Sequence, residues 1–206
     1  MIYESYYWKK ELLTLADKLH KRTKSKRWWT EAQHGTFEKE VMIGFYIIRK
    51  LIEAKTKLTN ALVATKFKGI KYPNNGKKVT WRNNHRFHEC YDFEKPLTSK
   101  YDIIFLCNQF VHSYIFSPCF SSEDESENSP MTLSSIHFSS DDKRNDWLFE
   151  ISIESVIKIF KDIGNDYPSS SHQHYDPRKG DWKIINGNEK MELSKKIEEI
   201  ITKHEK

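Results

Sequence analysis

The chain has 206 residues, of which 37% are hydrophobic and 14% aromatic, which is enough apolar mass for one buried core. Its 34 Lys and Arg residues against 29 Asp and Glu give a net charge of +5, far below the basic excess of dedicated nucleic-acid binders. The three cysteines, Cys90, Cys107 and Cys119, lack paired spacing, so we expect no disulfide framework and a cytoplasmic location. No apolar run reaches the length of a membrane span, and the first residues lack the pattern of an export signal.

Two helices are predicted before residue 60. Residues 2–21 carry apolar side chains at helical spacing (Leu12, Leu15, Ala16 and Leu19). Residues 30–57 follow as the longest predicted helix, with Thr30 as the candidate N-cap. The middle of this second helix is apolar almost all the way round, which is typical of a helix buried on most sides.

The central part of the chain gives weaker patterns. Residues 61–82 alternate lysines with β-branched and aromatic residues around Pro73 and Gly76, which predicts a hairpin or an irregular loop. Residues 99–116 lie between Pro96 and Pro118 and carry an apolar stripe, so we predict a third internal helix there.

The last third of the chain mixes strands and helices. Residues 121–130 are acidic and serine-rich, which predicts a mobile surface loop. Residues 131–138 and 147–153 read as the two strands of a hairpin, and helices are predicted at 154–164 and 189–204 around a loop-rich segment at 165–188. We therefore expect a single domain over residues 1–206 of the α+β class, helix-dominated, with three main helices packed with a β-hairpin and additional short helices.

The first candidate for chemistry is the segment from Arg82 to His88, in which Asn83 follows Arg82 and His88 stands after four further residues. This segment resembles the Arg-Asn-x4-His signature of the HEPN ribonuclease superfamily. The resemblance implies that Arg82 and His88 act on the scissile phosphate of RNA. An arginine fork neutralises the phosphate, and an imidazole transfers the proton of the attacking or leaving oxygen. The alternative is a solvated basic loop.

The second candidate joins two predicted helices. Asn108 and His112 are four residues apart and share one helix face, and Arg49 and Glu53 have the same relation on the second helix. If the two helices pack, the four side chains converge in a buried polar cluster. Such a cluster is either an active site or a hydrogen-bonded group that fixes the register of the helices.

These two helices also carry a resemblance over the whole chain. The stretches 45–54 and 107–113 are similar to segments of an uncharacterised family of bacterial proteins. The resemblance implies a bacterial origin and names no reaction.

Metal and nucleic-acid sites are the remaining candidates. His85, His88 and Cys90, or His172, His174 and Asp176, lack the second ligand pair of a structural zinc site, so no metal and no cofactor is expected. The basic and aromatic segment Lys24, Lys26, Arg27 and Trp28 has the composition of a single-strand binder. Alternatively, Trp28 and Trp29 fix the start of the second helix in the core.

The sequence favours an RNA-directed protein, a metal-independent ribonuclease of a bacterial defence or toxin type that uses Arg82 and His88 or His112 with Arg49. The alternative is a non-enzymatic protein-binding factor of the immunity or accessory kind. The sequence leaves open whether the chain is an enzyme, and its oligomeric state. A nuclease needs a histidine exposed in a cleft beside a cation, whereas a binding factor buries His112 and leaves His88 in solvent.

Overall fold

The computed structural model describes residues 2–25, 29–122 and 131–188. Within these ranges the helices are α1 Ser5–Thr23, α2 Glu31–Glu53, α3 Asn60–Val63, α4 Ile103–Val111 and α5 Ile153–Asn165, with a 3-10 helix at Asn84–Glu89. The strands are β1 Lys66–Pro73, β2 Leu97–Asp102, β3 Ser113–Ser121, β4 Thr132–Ser140, β5 Trp147–Ser152, β6 Ser170–Asp176 and β7 Asp181–Gly187. The predicted α+β class is therefore confirmed.

The start of α2 is fixed by Thr30, the predicted N-cap, which forms a capping box with Gln33. The Thr30 hydroxyl accepts a hydrogen bond from the Gln33 backbone, and the Gln33 side chain accepts one from the Thr30 backbone at 2.8 Å. The apolar face of the helix is buried, including Phe37 and Phe45. The helix ends four residues earlier than predicted, because Lys55 adopts a left-handed conformation (φ 60°) that a helix cannot continue through.

Five strands form one antiparallel sheet in the order β2-β1-β5-β4-β3. One face of this sheet closes the main core together with α1, α2, α4 and α5. Phe110 of α4 links the layers, because its ring stacks on Phe45 at 4.2 Å and on Phe138 of β4 at 4.5 Å. The opposite face is partly covered by the segment between β1 and β2, which buries Val79, Cys90 and Tyr91 against it.

The predicted hairpin of residues 131–138 and 147–153 is confirmed as β4 and β5, and the helix predicted at 154–164 is confirmed as α5, against which α1 packs. The prediction nevertheless underestimates the strand content, since these two strands are only part of the sheet. The helix predicted at 189–204 and most of the predicted acidic loop lie outside the described residues.

The prediction of one helix over residues 99–116 is wrong. Residues 97–102 are β2, only Ile103–Val111 are helical, and β3 continues through Pro118. Asp102 starts the helix late, because its carboxylate accepts a hydrogen bond from the Phe105 backbone at 2.7 Å. Proline is tolerated in β3 because β3 is an edge strand.

The segment 165–188 is also not the loop that its polar composition predicts. It forms the antiparallel hairpin of β6 and β7. Asn186 attaches this hairpin to the segment after α2, since its side-chain amide donates to the Lys55 and Leu58 carbonyl oxygens at 2.6 and 3.0 Å. Contacts distant in sequence therefore stabilise an element that has little apolar patterning of its own.

Candidate functional site

The predicted meeting of Arg49, Glu53 and His112 occurs at the end of α4. Arg49 Nη1 lies 3.4 Å from His112 Nε2, and Arg49 Nε donates to Glu53 Oε1 at 3.0 Å. His112 is the C-cap residue of α4, so its ring projects where the helix stops. The expected burial is wrong: His112 and Asn108 are exposed, because α4 ends at the surface before β3 begins. The group therefore does not fix the register of the helices from within the core.

The contact between Arg49 and His112 places a cation beside the imidazole. A guanidinium has only donors, so in a hydrogen bond between the two side chains Nε2 is the acceptor. Glu53 also accepts from Lys50 at 2.7 Å, and the hydrogen bonds from Lys50 and Arg49 lower the pKa of Glu53. The surface thus carries an imidazole beside two cations and one carboxylate, which is a suitable arrangement for a general base next to an anionic substrate.

An open cleft of about 590 Å³ adjoins this group. Its lining comes from α4 and from the turn between β4 and β5: Phe105, Asn108, Gln109, His112, Ser140, Asp141, Asp142 and Lys143. Gln109 has a structural role, because its buried side chain accepts a hydrogen bond from the Ser140 backbone at 3.0 Å. The polar side chains that remain to meet a ligand are Asn108, His112, Lys143 and the two carboxylates Asp141 and Asp142.

Arg82 and His88 lie on a different part of the surface, around the 3-10 helix Asn84–Glu89. The Arg82 guanidinium lies 5.8 Å from the centre of the exposed Trp81 ring, and His88 contacts Phe87 edge-on. Within the described ranges no hydrogen bond or ion pair joins Arg82 to His88. Asn83 serves the turn, since its side chain accepts from the Thr80 backbone at 2.7 Å. The HEPN-like spacing therefore does not by itself form a closed catalytic pair here.

The basic and aromatic segment is described only at its ends. Lys24 is exposed at the C-terminus of α1, whereas Lys26, Arg27 and Trp28 lie outside the described residues. Trp29 packs edge-on against Phe37 at 5.1 Å and Phe120 at 5.0 Å. For Trp29 the alternative prediction is confirmed: the ring fixes the start of α2 against the core.

The two groups of candidate metal ligands lie in the segment between β1 and β2 and on β6. His172 and His174 are exposed on β6, and Cys90 is buried. Across residues 2–25, 29–122 and 131–188, no three His, Cys, Asp or Glu side chains are placed to hold a metal ion. None of the helices in these ranges is long and apolar enough to cross a membrane.

Sequence reasoning missed a hydrogen-bonded row of side chains on the partly covered face of the sheet. Glu150 of β5 accepts from Tyr72 Oη at 2.6 Å, from Ser135 Oγ at 2.7 Å and pairs with His137 Nε2 at 3.2 Å. Cys119 of β3 lies near enough to His137 to affect its pKa, so the row extends from β1 across β5 and β4 towards β3. The signal for it was Glu150 itself, since a charge inside an apolar strand needs a partner.

His137 and Glu150, the two charged residues of this row, each stabilise the charged form of the other. Burial acts to lower the pKa of His137, but its interactions with Cys119 and Glu150 outweigh burial and raise that pKa to about 9. The hydrogen bond from His137 has the largest effect on Glu150 and, with those from Tyr72 and Ser135, lowers its pKa to about 2. At neutral pH the pair is an imidazolium and a carboxylate, so His137 is a fixed cation and not a general base.

Comparison with known proteins gives no match: no protein-family model, no curated protein and no solved structure is significantly similar to this chain. Functional arguments therefore rest on the geometry of these surfaces.

Proposed function

We propose that the protein is RNA-directed and acts in the bacterial cytoplasm as a metal-independent ribonuclease of a defence or toxin type, with Arg49 and His112 at its reaction centre. One observation carries this proposal: His112 is exposed at an open cleft with its Nε2 3.4 Å from a guanidinium nitrogen. An imidazole beside an arginine suits cleavage of an RNA phosphodiester, because the imidazole can transfer the proton and the guanidinium can stabilise the phosphate charge.

In this reaction His112 takes the proton of a ribose 2′-hydroxyl, and the resulting oxygen attacks the adjacent phosphorus. A bond forms between the 2′-oxygen and phosphorus while the bond to the 5′-oxygen breaks. The departing oxygen takes up a proton, which His112 or water supplies. The products are a 2′,3′-cyclic phosphate and a 5′-hydroxyl end. Arg49 stabilises the charge that accumulates on the phosphate oxygens in the transition state.

The cations around the cleft are available to a phosphate. Arg49 is paired with Glu53, and Lys143 is paired with Asp142 at 3.0 Å. Both pairs are exposed to solvent, where ion pairs contribute little. A phosphate can therefore replace either carboxylate without a large loss. Asn108, one helical turn before His112, adds an amide that can contact a ribose or base.

The test is cleavage of a labelled single-stranded RNA of mixed sequence in excess chelator. We expect His112→Ala to lower the rate at least about a hundredfold, as loss of a general base does, and Arg49→Ala to lower it as well. His88→Ala and Arg82→Ala are the matched controls, because they change the same residue types on the other surface. Retained activity in His112→Ala with loss in His88→Ala would instead assign the reaction to the HEPN-like segment. A 2′-deoxy substitution at the cut site should abolish cleavage.

A protein-binding factor is the alternative, and the exposed aromatic side chains favour it. Tyr3 is 98% exposed, Tyr7 71% and Trp81 73%, and aromatic residues of this kind are enriched in protein interfaces. If the wild-type protein cleaves no RNA, copurification of a partner that is lost in Tyr7→Ala or Trp81→Ala would support this function. The oligomeric state is a separate measurement.

A further inference from the structure

A second cavity lies between the end of α2 and the β6–β7 hairpin, and it shares no lining residue with the cleft at His112. Its volume is about 640 Å³, which is in the range of sites that hold small-molecule ligands. Apolar side chains make most of the wall, and they come from α2, the segment after it, α3, α4 and β7: Leu51, Ile52, Leu58, Val63, Ile104 and Ile184. A cavity of this size with apolar walls accommodates a flat ring.

One polar atom in this wall has no partner. Asn186 is 4% exposed, and its Oδ1 atom is buried without a hydrogen bond from any described residue. The rest of the residue is fully used: Nδ2 donates to Lys55 and Leu58, and the backbone N donates to Asn60 Oδ1 at 2.7 Å. These bonds fix the amide orientation, so Oδ1 is the unused acceptor of a residue that lines the cavity. An unpaired buried acceptor is costly, which points to a ligand that supplies an N–H group.

The rim adds an aromatic face and a cation. Trp182 lines the cavity and is 53% exposed, so its ring is free to stack on a planar ligand. Lys66 is exposed at the same cavity and has no ion pair within the described ranges, whereas Lys55 is paired with Asp181 at 2.5 Å. Lys66 is therefore the cation available to an anionic group on the ligand.

We propose that this cavity binds a nucleotide: a planar nitrogen heterocycle that donates an N–H group to Asn186 Oδ1, stacks on Trp182 and places its phosphate near Lys66. The ligand is a free mononucleotide or one nucleotide of an RNA chain, which share this chemistry. Binding at this cavity does not depend on RNA cleavage at His112, because the two sites are separate.

The experiment is calorimetric titration of the intact protein with each of the four ribonucleoside 5′-monophosphates. We expect at least one to bind with a dissociation constant in the micromolar to millimolar range. Trp182→Ala should weaken that binding at least about fivefold, as loss of a stacking ring does, whereas the matched control Trp81→Ala should leave it unchanged. Lys66→Ala should weaken it about two- to fivefold, with Lys68→Ala as its control on the same strand.

The role of Asn186 is tested on the ligand, because substitution of Asn186 would also release the β6–β7 hairpin. A derivative of the nucleotide that binds, methylated at the base N–H group, should bind much more weakly than the unmodified nucleotide. Tighter binding of a short RNA than of the monophosphate would identify RNA as the source, and equal binding a free nucleotide. No binding by any of the four, or binding unaffected by Trp182→Ala and by base methylation, would overturn the proposal.

Discussion

The ion pair between His137 and Glu150 makes a prediction about stability and pH. Replacing Glu150 by Gln keeps the shape of the side chain but leaves the imidazolium without its counter-charge. The pKa of Glu150 falls from 4.5 to about 2 in the folded protein, and each pKa unit corresponds to about 1.4 kcal/mol. We therefore expect Glu150→Gln to lower the free energy of unfolding by about 3 kcal/mol where both groups are charged.

The pH range of this effect follows from the two pKa values. The contribution of Glu150 is complete above pH 4.5 and is lost as the pH falls through about 2. The contribution of His137, whose pKa is raised from 6.5, is complete below pH 6.5 and is lost as the pH rises through about 9. The difference between the wild type and the variant should thus be largest between pH 4.5 and 6.5 and shrink on both sides.

Urea unfolding of both proteins at acidic, intermediate and alkaline pH measures this difference. Glu94→Gln, at an exposed position, is the control and should change stability little at any pH. A loss in the free energy of unfolding that is the same at every pH would mean that Glu150 acts through packing alone. The ion pair between His137 and Glu150 would then be refuted.

Three further predictions concern packing, capping and thiols. Gly44→Ala should destabilise the fold by about 1–3 kcal/mol in urea unfolding, because a Cβ there would clash with the Phe160 ring, and an unchanged midpoint would contradict this contact. Thr30→Ala should cost about 1 kcal/mol by removing the cap of α2, whereas Thr30→Ser should restore most of it. Iodoacetamide at mild alkaline pH should label Cys119 and not Cys107, because Cys107 is buried and burial raises its pKa to about 12. Mass spectrometry of the folded, treated protein measures the labelling, and a labelled Cys107 would contradict this prediction.

The sequence was informative where local signals and burial agree. The capping residues of α2 are three apart, and the apolar alternation that begins at Trp147 predicts a strand that the fold uses. It failed over residues 99–116, where helical spacing of apolar residues arises from a strand, a short helix and a second strand in succession. It failed at β6 and β7 because the bonds of Asn186 that hold them reach more than 120 residues back along the chain.

For the candidate sites too, local spacing in the sequence predicts some features and the fold alone determines others. Helical spacing predicted that Arg49 and His112 meet, although they are 63 residues apart. It did not predict that His112 is exposed, because that depends on α4 ending at the surface. The partnership of His137 with Glu150 depends on the register of β4 against β5, which residue patterns do not determine.

The arrangement of α1 and β1 sets the order in which this protein can fold during synthesis. The strand β1 pairs with β5 as well as with β2, and α1 packs against α5 as well as against α2, so both elements made early stay incompletely packed until residues 147–165 have left the ribosome. Closing contacts so distant in sequence is slow. The apolar face of α1 is therefore the surface that a nascent chain must keep from aggregating while translation continues.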